Sequence, residues 1–120
     1  MSFILFVLHD PEKLMDLLAA WQDAGVDGAT VLFSTGLGRI RPREGLRDDI
    51  PLMPALEDFY PDPESLSRTI FTVIGDDSLI EKVVAATEEI VGDLSQPDRG
   101  LLMVLPVSRI YGLRKHIQPN

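Results

Sequence analysis

Residues 36–39, Gly-Leu-Gly-Arg, form the run in this chain whose residue types best fit phosphate chemistry. A glycine has no Cβ, so its backbone amide can approach a phosphate oxygen closely, and an arginine adds charge with paired donors. A strand end that needs glycines in order to turn would show the same pattern. The residue types alone favour a structural turn, and anion binding by Gly36, Leu37, Gly38 and Arg39 is the alternative.

Other residues that could do chemistry lack the partners that such chemistry requires. His9 and His116 are the two histidines, they show no metal-ligand spacing, and the chain has no cysteine. Ser34 and Thr35 have no histidine base close in sequence, so covalent catalysis has no support. Adjacent pairs of carboxylates fit caps, turns and solvated faces. We expect no enzyme activity, no metal site and no resident cofactor.

Composition favours a single soluble domain. The 120 residues are 45% apolar, which is enough for one core, and the net charge of -8 would repel the phosphate backbone of a nucleic acid. The apolar start lacks the basic leader of a signal peptide, and no apolar run reaches the ~18 residues of a membrane span. Without cysteines that would indicate an oxidising compartment, we expect a cytoplasmic protein that inserts into no membrane.

The first half of the chain predicts a strand, a helix and a second strand. Residues 3–8, FILFVL, form an apolar run typical of a central strand. Asp10 can cap a helix whose apolar residues recur at helical spacing until Gly25. Residues 26–33 then predict a strand, in which Gly28 indicates a bulge or a close backbone approach.

The second half repeats this pattern in the order strand, helix, strand. Residues 68–74 alternate like a strand, and residues 76–78 offer caps for a helix that Gly92 closes. The predicted buried stripe of that helix consists of Ile80, Val83, Val84, Thr87 and Val91. Residues 101–105 predict a fourth strand, which a proline interrupts before residues 107–113 continue in extended form, as a bend or as an edge segment.

The resulting order, βαββαβ, predicts an α+β fold. Right-handed crossovers return both helices to the same face of an antiparallel sheet, which gives a ferredoxin-like sandwich. We expect residues 1–120 to form this one domain.

A long segment, about residues 40–67, separates the second and third predicted strands where a hairpin needs two to five residues. It contains five prolines, and three arginines at positions 41, 43 and 47 precede most of its carboxylates. Five apolar residues would let it fold onto a neighbour or await a partner: Leu52, Met53, Leu56, Phe59 and Tyr60. We expect this arm to be mobile or partner-dependent.

An ordered set of strings along nearly the whole chain resembles the PII nitrogen-regulatory family. These strings are the first strand with DPEKL, then AGVDGATV, STGLGR at the root of the arm, and VSRIYGLR near the end. The resemblance implies a homotrimer with nucleotide clefts between subunits. It also implies an arm, the family's T-loop, that contacts a transporter, an enzyme or a regulator.

The resemblance also implies which residues would bind the nucleotide. Besides the turn at residues 36–39, they are Thr30, Arg99, Gly100 and Arg114. Three polar groups of the family are replaced, because Ile40, Leu101 and Gly112 stand at their positions. Phosphate binding should therefore be weakened, so we expect an effector with fewer phosphates than ATP, and Arg39→Ala should weaken it further.

Three functions remain open at this point. The leading one is a regulatory homotrimer that senses an adenine-type effector and signals through its arm. The alternative is a PII-like protein-interaction module that has lost the nucleotide. A CutA-like metal-tolerance trimer is third, because metal-binding residue types are scarce.

Overall fold

The structure of the protein, a computed structural model, describes residues 1–36 and 67–113. Within these residues the chain forms four strands and two α-helices. They are β1 (Ser2–Leu8), α1 (Leu14–Asp23), β2 (Thr30–Ser34), β3 (Ser67–Ile74), α2 (Ile80–Val91) and β4 (Leu101–Pro106). The predicted α+β class is confirmed.

The four strands form one antiparallel sheet in the order β2-β3-β1-β4. β1 is central, as its apolar sequence predicted, and Leu5 lies opposite Phe71 of β3 on one side and Met103 of β4 on the other. The arrangement is compatible with the ferredoxin-like sandwich. The assignment of all 120 residues to one domain stays a prediction.

Both helices begin where the sequence places caps. The Asp10 carboxylate accepts a hydrogen bond from the Glu12 backbone N–H over 3.0 Å, and the Asp76 carboxylate accepts one from the Ser78 N–H over 2.9 Å. Each cap starts a 3-10 turn that leads into the α-helix. Gly25, with a φ of 111°, follows the end of α1 and reverses the chain direction there.

The core lies between the helices and one face of the sheet. Alternate residues of β1 and β3 meet the inner sides of both helices, since successive strand residues point to opposite faces. The core residues are Ile4, Phe6, Leu8, Leu17, Trp21, Val26, Ile70, Ile74, Val83, Ala86 and Val91. The buried stripe of α2 thus includes Ala86, whereas the predicted Val84 is only half-buried.

The second strand is shorter than predicted, because it starts at Thr30 and not at residue 26. The N–H of Val26 bonds to the carbonyl of Trp21, so Val26 still belongs to the helix-ending turn although its side chain is in the core. The Gly28 carbonyl accepts a hydrogen bond from the Thr72 hydroxyl. A Cβ added to Gly28 would meet nothing within 4 Å, and Gly28 precedes β2, so the predicted bulge or close backbone approach is wrong.

The fourth strand ends at Pro106, and residues 107–113 contain no strand. Bends at residues 108, 111 and 112 agree with the predicted bend, whereas the alternative, an edge segment, is not observed. The N–H of Val107 bonds to the carbonyl of Met1 over 3.2 Å, which extends the β1–β4 register by one pair beyond Ser2 and Pro106.

The sheet face away from the helices, here called the open face, is largely apolar. The register places on it Phe3, Leu5, Val7, Leu32, Phe71, Val73, Leu101, Met103 and Leu105. Leu101 is 55% exposed, Leu105 50% and Met103 41%. Neither helix covers these side chains, because both helices pack on the other face.

Candidate functional site

A cleft of about 650 Å³ lies at the edge of the sheet where β2 begins. The short β2 first pairs with β3 at Thr30, opposite Phe71, so β3 runs on past this pair to Ile74. The loop before β2, residues 25–29, forms the other wall of the cleft. The late start of β2 therefore creates the cleft.

Thr30 is the predicted site residue that lines this cleft. Its side chain shares the open face with Phe71 and Val73, which also line the cleft. Leu79, from the turn before α2, closes the helix side of the cleft. Its side chain packs so close to Gly25 that a Cβ added to Gly25 would lie 3.1 Å from it. The cleft thus combines a hydroxyl and an aromatic ring with aliphatic walls.

Two carboxylates belong to the lining, those of Asp27 and Asp76. Hydrogen bonds from the Ser78 side chain and then from its backbone N–H lower the pKa of Asp76, and the nearby Lys82 adds to this effect. Asp76 is therefore negatively charged at neutral pH. Among the described residues that line the cleft there is no lysine, arginine or histidine.

Gly36 lies two residues beyond the end of β2, in the stretch that leads into the arm. Its φ is outside the left-handed region, and a Cβ added to it would meet nothing within 4 Å. The conformation of Gly36 therefore does not require glycine. The other predicted residues of this turn, Leu37, Gly38 and Arg39, lie outside the described residues.

Gly100 has a clear structural role at the start of β4. Its φ is 109°, and an added Cβ would lie 2.6 Å from both the Phe6 ring and the Val7 carbonyl oxygen. Only glycine lets the chain approach β1 this closely. The packing alone explains this glycine.

Arg99 lies against the end of α2. Its guanidinium carbon would be 3.6 Å from a Cβ on Gly92, the residue that caps this helix. A positive charge at a helix C-terminus interacts favourably with the helix dipole. Arg99 also lines a small cavity of about 60 Å³ together with His9, Lys13 and two carboxylates. Its described neighbours give it a structural role at this helix end.

The structure does not bring Thr30 and the Arg99–Gly100 pair together within one chain. Thr30 is on β2 and Gly100 precedes β4, and these strands form opposite edges of the sheet. Three strand spacings separate the edges, about 14 Å. Arg114 lies outside the described residues, as does the arm over residues 40–66, but Leu113, which precedes Arg114 in the chain, lines the cleft.

Sequence reasoning missed several residues of the cleft. It assigned Asp76 to a helix cap, which is confirmed, but not to a cleft, and it assigned Phe71 to a strand without a site role. The signal available was the alternation of β3, which predicts that Phe71 and Val73 share a face. Their proximity to Asp27 depends on where β2 begins, which the sequence placed too early.

No group of three or more His, Cys, Asp or Glu side chains that could hold a metal ion occurs in the part of the chain that the structure describes. Neither described helix has the length and apolar character needed to cross a bilayer. No protein-family model matches the chain, and no curated protein matches it.

Proposed function

We propose that this chain is a PII-like regulatory protein, a homotrimer that senses a small adenine-type effector at clefts between its copies. The segment about residues 40–67 would carry the signal to a target protein, such as a transporter, an enzyme or a regulator. The observation that carries the proposal is the apolar open face, which continues into a cleft containing Thr30.

The open face supports association between copies. Monomeric proteins seldom expose a contiguous apolar surface of this kind, and three neighbouring side chains of β4 on this face are 41% to 55% exposed. Phe3 and Phe71 add a ring pair on the same face, with centroids 5.5 Å apart. A closed ring of identical copies would cover these side chains while leaving the helices in water.

The separation of the expected ligand residues also supports a cleft shared between copies. Thr30 and the Arg99–Gly100 pair stand at opposite edges of one sheet. Copies arranged in a ring bring the β2 edge of one copy towards the β4 edge of the next. Such an arrangement is the one in which both sets of residues could contact one ligand.

The cleft itself suits a flat heterocycle with polar edges. The Phe71 ring and the aliphatic side chains of Val73, Leu79 and Leu113 offer apolar surface. The Thr30 hydroxyl can donate and accept hydrogen bonds at the ligand's edge. Adenine has both the flat rings and the edge donors and acceptors that such a lining recognises.

Light scattering and calorimetry on the full chain test the proposal together. We expect a trimer at micromolar concentration and saturable binding of an adenine compound. Thr30→Val should weaken that binding by about two- to tenfold, the value of one hydrogen bond. Thr35→Val, a matched change outside the cleft, should leave it unchanged.

The alternative, a PII-like interaction module without a nucleotide, is favoured by the structural roles of Arg99 and Gly100. If their positions are explained by packing, they give no support to phosphate binding. A trimer that binds no adenine base, nucleoside or nucleotide would support this alternative. A monomer that binds none of them would contradict both functions.

A further inference from the structure

The charge of the cleft bears on the class of effector. Asp27 and Asp76 line the cleft, and the described lining has no cation to oppose them. Asp76 has Lys82 and the Met1 ammonium near enough to lower its pKa, and that ammonium forms an ion pair with Asp77 at 3.1 Å. Asp76 and Asp77 thus stand beside these two cations, so the described residues of this region carry no excess of positive charge.

Among the described residues that the resemblance assigns to phosphate binding, Arg99 and Gly100 each have another role in the fold. Arg99 lies against the C-terminal end of α2. Hydrogen bonds from Ser95 chiefly lower the pKa of Asp93, and the charge of Arg99 adds to this effect. Gly100 is packed against the Phe6 ring, and Asp98, next to Arg99, brings another carboxylate. A phosphate at this loop would compete with the helix end for the guanidinium.

We infer that the cleft takes an adenine-type ligand without phosphates, a nucleoside or a free base rather than a nucleotide. This inference rests on the proposed function. The apolar walls and Thr30 accommodate the rings, and the carboxylates can accept hydrogen bonds from an exocyclic amine or from sugar hydroxyls. A phosphate monoester carries about -1.5 to -2 charges at pH 7, so the same carboxylates would repel it.

Calorimetric titration of the full chain with adenosine, AMP and ATP tests this inference. We expect adenosine to bind most tightly and AMP about two- to fivefold more weakly, within the range typical of interactions between exposed charges. Raising the salt concentration should narrow the difference, because salt screens repulsion. Tighter binding of AMP or ATP than of adenosine would overturn the inference but leave the proposed function standing.

Asparagine variants test whether the two carboxylates of the cleft cause the weaker binding of AMP. The double variant Asp27→Asn, Asp76→Asn should improve AMP affinity relative to adenosine, and asparagine still caps the turn before α2. Asp16→Asn makes a charge change on the exposed side of α1, away from the cleft, and should not alter the ratio. If the ratio of AMP affinity to adenosine affinity were the same in the double variant and in the unmodified chain, the inference would be overturned.

Arg114 provides the remaining check, since it follows Leu113 of the cleft in the sequence. Arg114→Ala should keep the affinity for adenosine. A loss of more than about tenfold would mean that a cation completes the cleft, which would overturn the inference. Failure of adenosine, AMP and ATP alike to bind would instead overturn the proposed function, and the inference with it.

Discussion

The indole N–H of Trp21 donates a hydrogen bond to the hydroxyl of Thr87 over 2.8 Å, which joins α1 to α2 inside the core. Trp21 is 1% exposed and Thr87 is fully buried. The Thr87 hydroxyl in turn donates to the Val83 carbonyl over 2.7 Å. The indole N–H of Trp21 and the hydroxyl of Thr87 are thus both buried in the core with their hydrogen bonds satisfied.

Thr87→Val should destabilise the protein by about 1 to 3 kcal/mol, because it leaves the buried indole N–H without an acceptor. Urea unfolding followed by circular dichroism, performed on Thr87→Val, Trp21→Phe and the double variant, measures the coupling. We expect a coupling free energy of at least about 0.5 kcal/mol. Additive effects of the two single variants would contradict a contribution from this bond.

Gly100→Ala should be strongly destabilising. The added methyl group would overlap the Phe6 ring and the Val7 carbonyl, and the left-handed backbone adds strain, so we expect a loss of at least about 2 kcal/mol. Gly36→Ala is the matched control, since nothing lies within 4 Å of its added Cβ. Equal stability of the two variants in thermal unfolding would show that the approach of β4 to β1 is not so close.

Met103→Glu should break up the proposed assembly. Met103 lies on the open face of β4, opposite Leu5, where a carboxylate would be buried against another copy. Met15→Glu introduces the same change on α1, at a methionine that is 73% exposed, and should preserve the assembly. Light scattering that gives the same mass for both variants would argue against the open face as the interface.

Acid should destabilise the fold through three aspartates. Hydrogen bonds from Ser78 to Asp76, from Ser2 to Asp77 and from the Ser95 backbone to Asp93 lower the pKa of each carboxyl.

Groups with a lowered folded-state pKa contribute stability above the ordinary Asp pKa of about 3.9 and lose it as the pH falls through their folded values. Thermal unfolding between pH 6 and pH 2.5 should therefore show a melting temperature that falls below about pH 4. Asp93→Asn should make this dependence shallower. If the melting temperature of that variant fell with pH as steeply as in the unmodified chain, the turn after α2 would not contribute to the acid sensitivity.

Much of the fold could be predicted because local signals and the global pattern agree. The caps at Asp10 and Asp76 and the alternation in β1 and β3 depend on neighbours in sequence, and these predictions are confirmed. The start of β2 was misplaced because Val26 is apolar for a different reason, since it fills the core from a turn.

The site was harder to predict because its parts are distant in sequence. The cleft joins the loop before β2 to the end of β3, and no local pattern says that Asp27 and Asp76 line the same space. The role of Gly100 was also open, since a phosphate loop and a close strand approach both require glycine. The Phe6 ring beside it favours the close approach.

The pairing at the far end of β2 has a consequence for the protein's modularity. Ser34 lies opposite Ser67, and the Thr69 hydroxyl donates to the Ser34 hydroxyl over 2.8 Å, so the long segment leaves and rejoins the sheet at adjacent points. A four-residue turn could span the same gap. Because each doubling of loop length costs only about 0.6 kcal/mol, exchanging some thirty residues for such a turn would change the free energy of folding by roughly 2 kcal/mol. The two points of attachment are thus close enough that the length of the segment between them can change at little thermodynamic cost to the sheet.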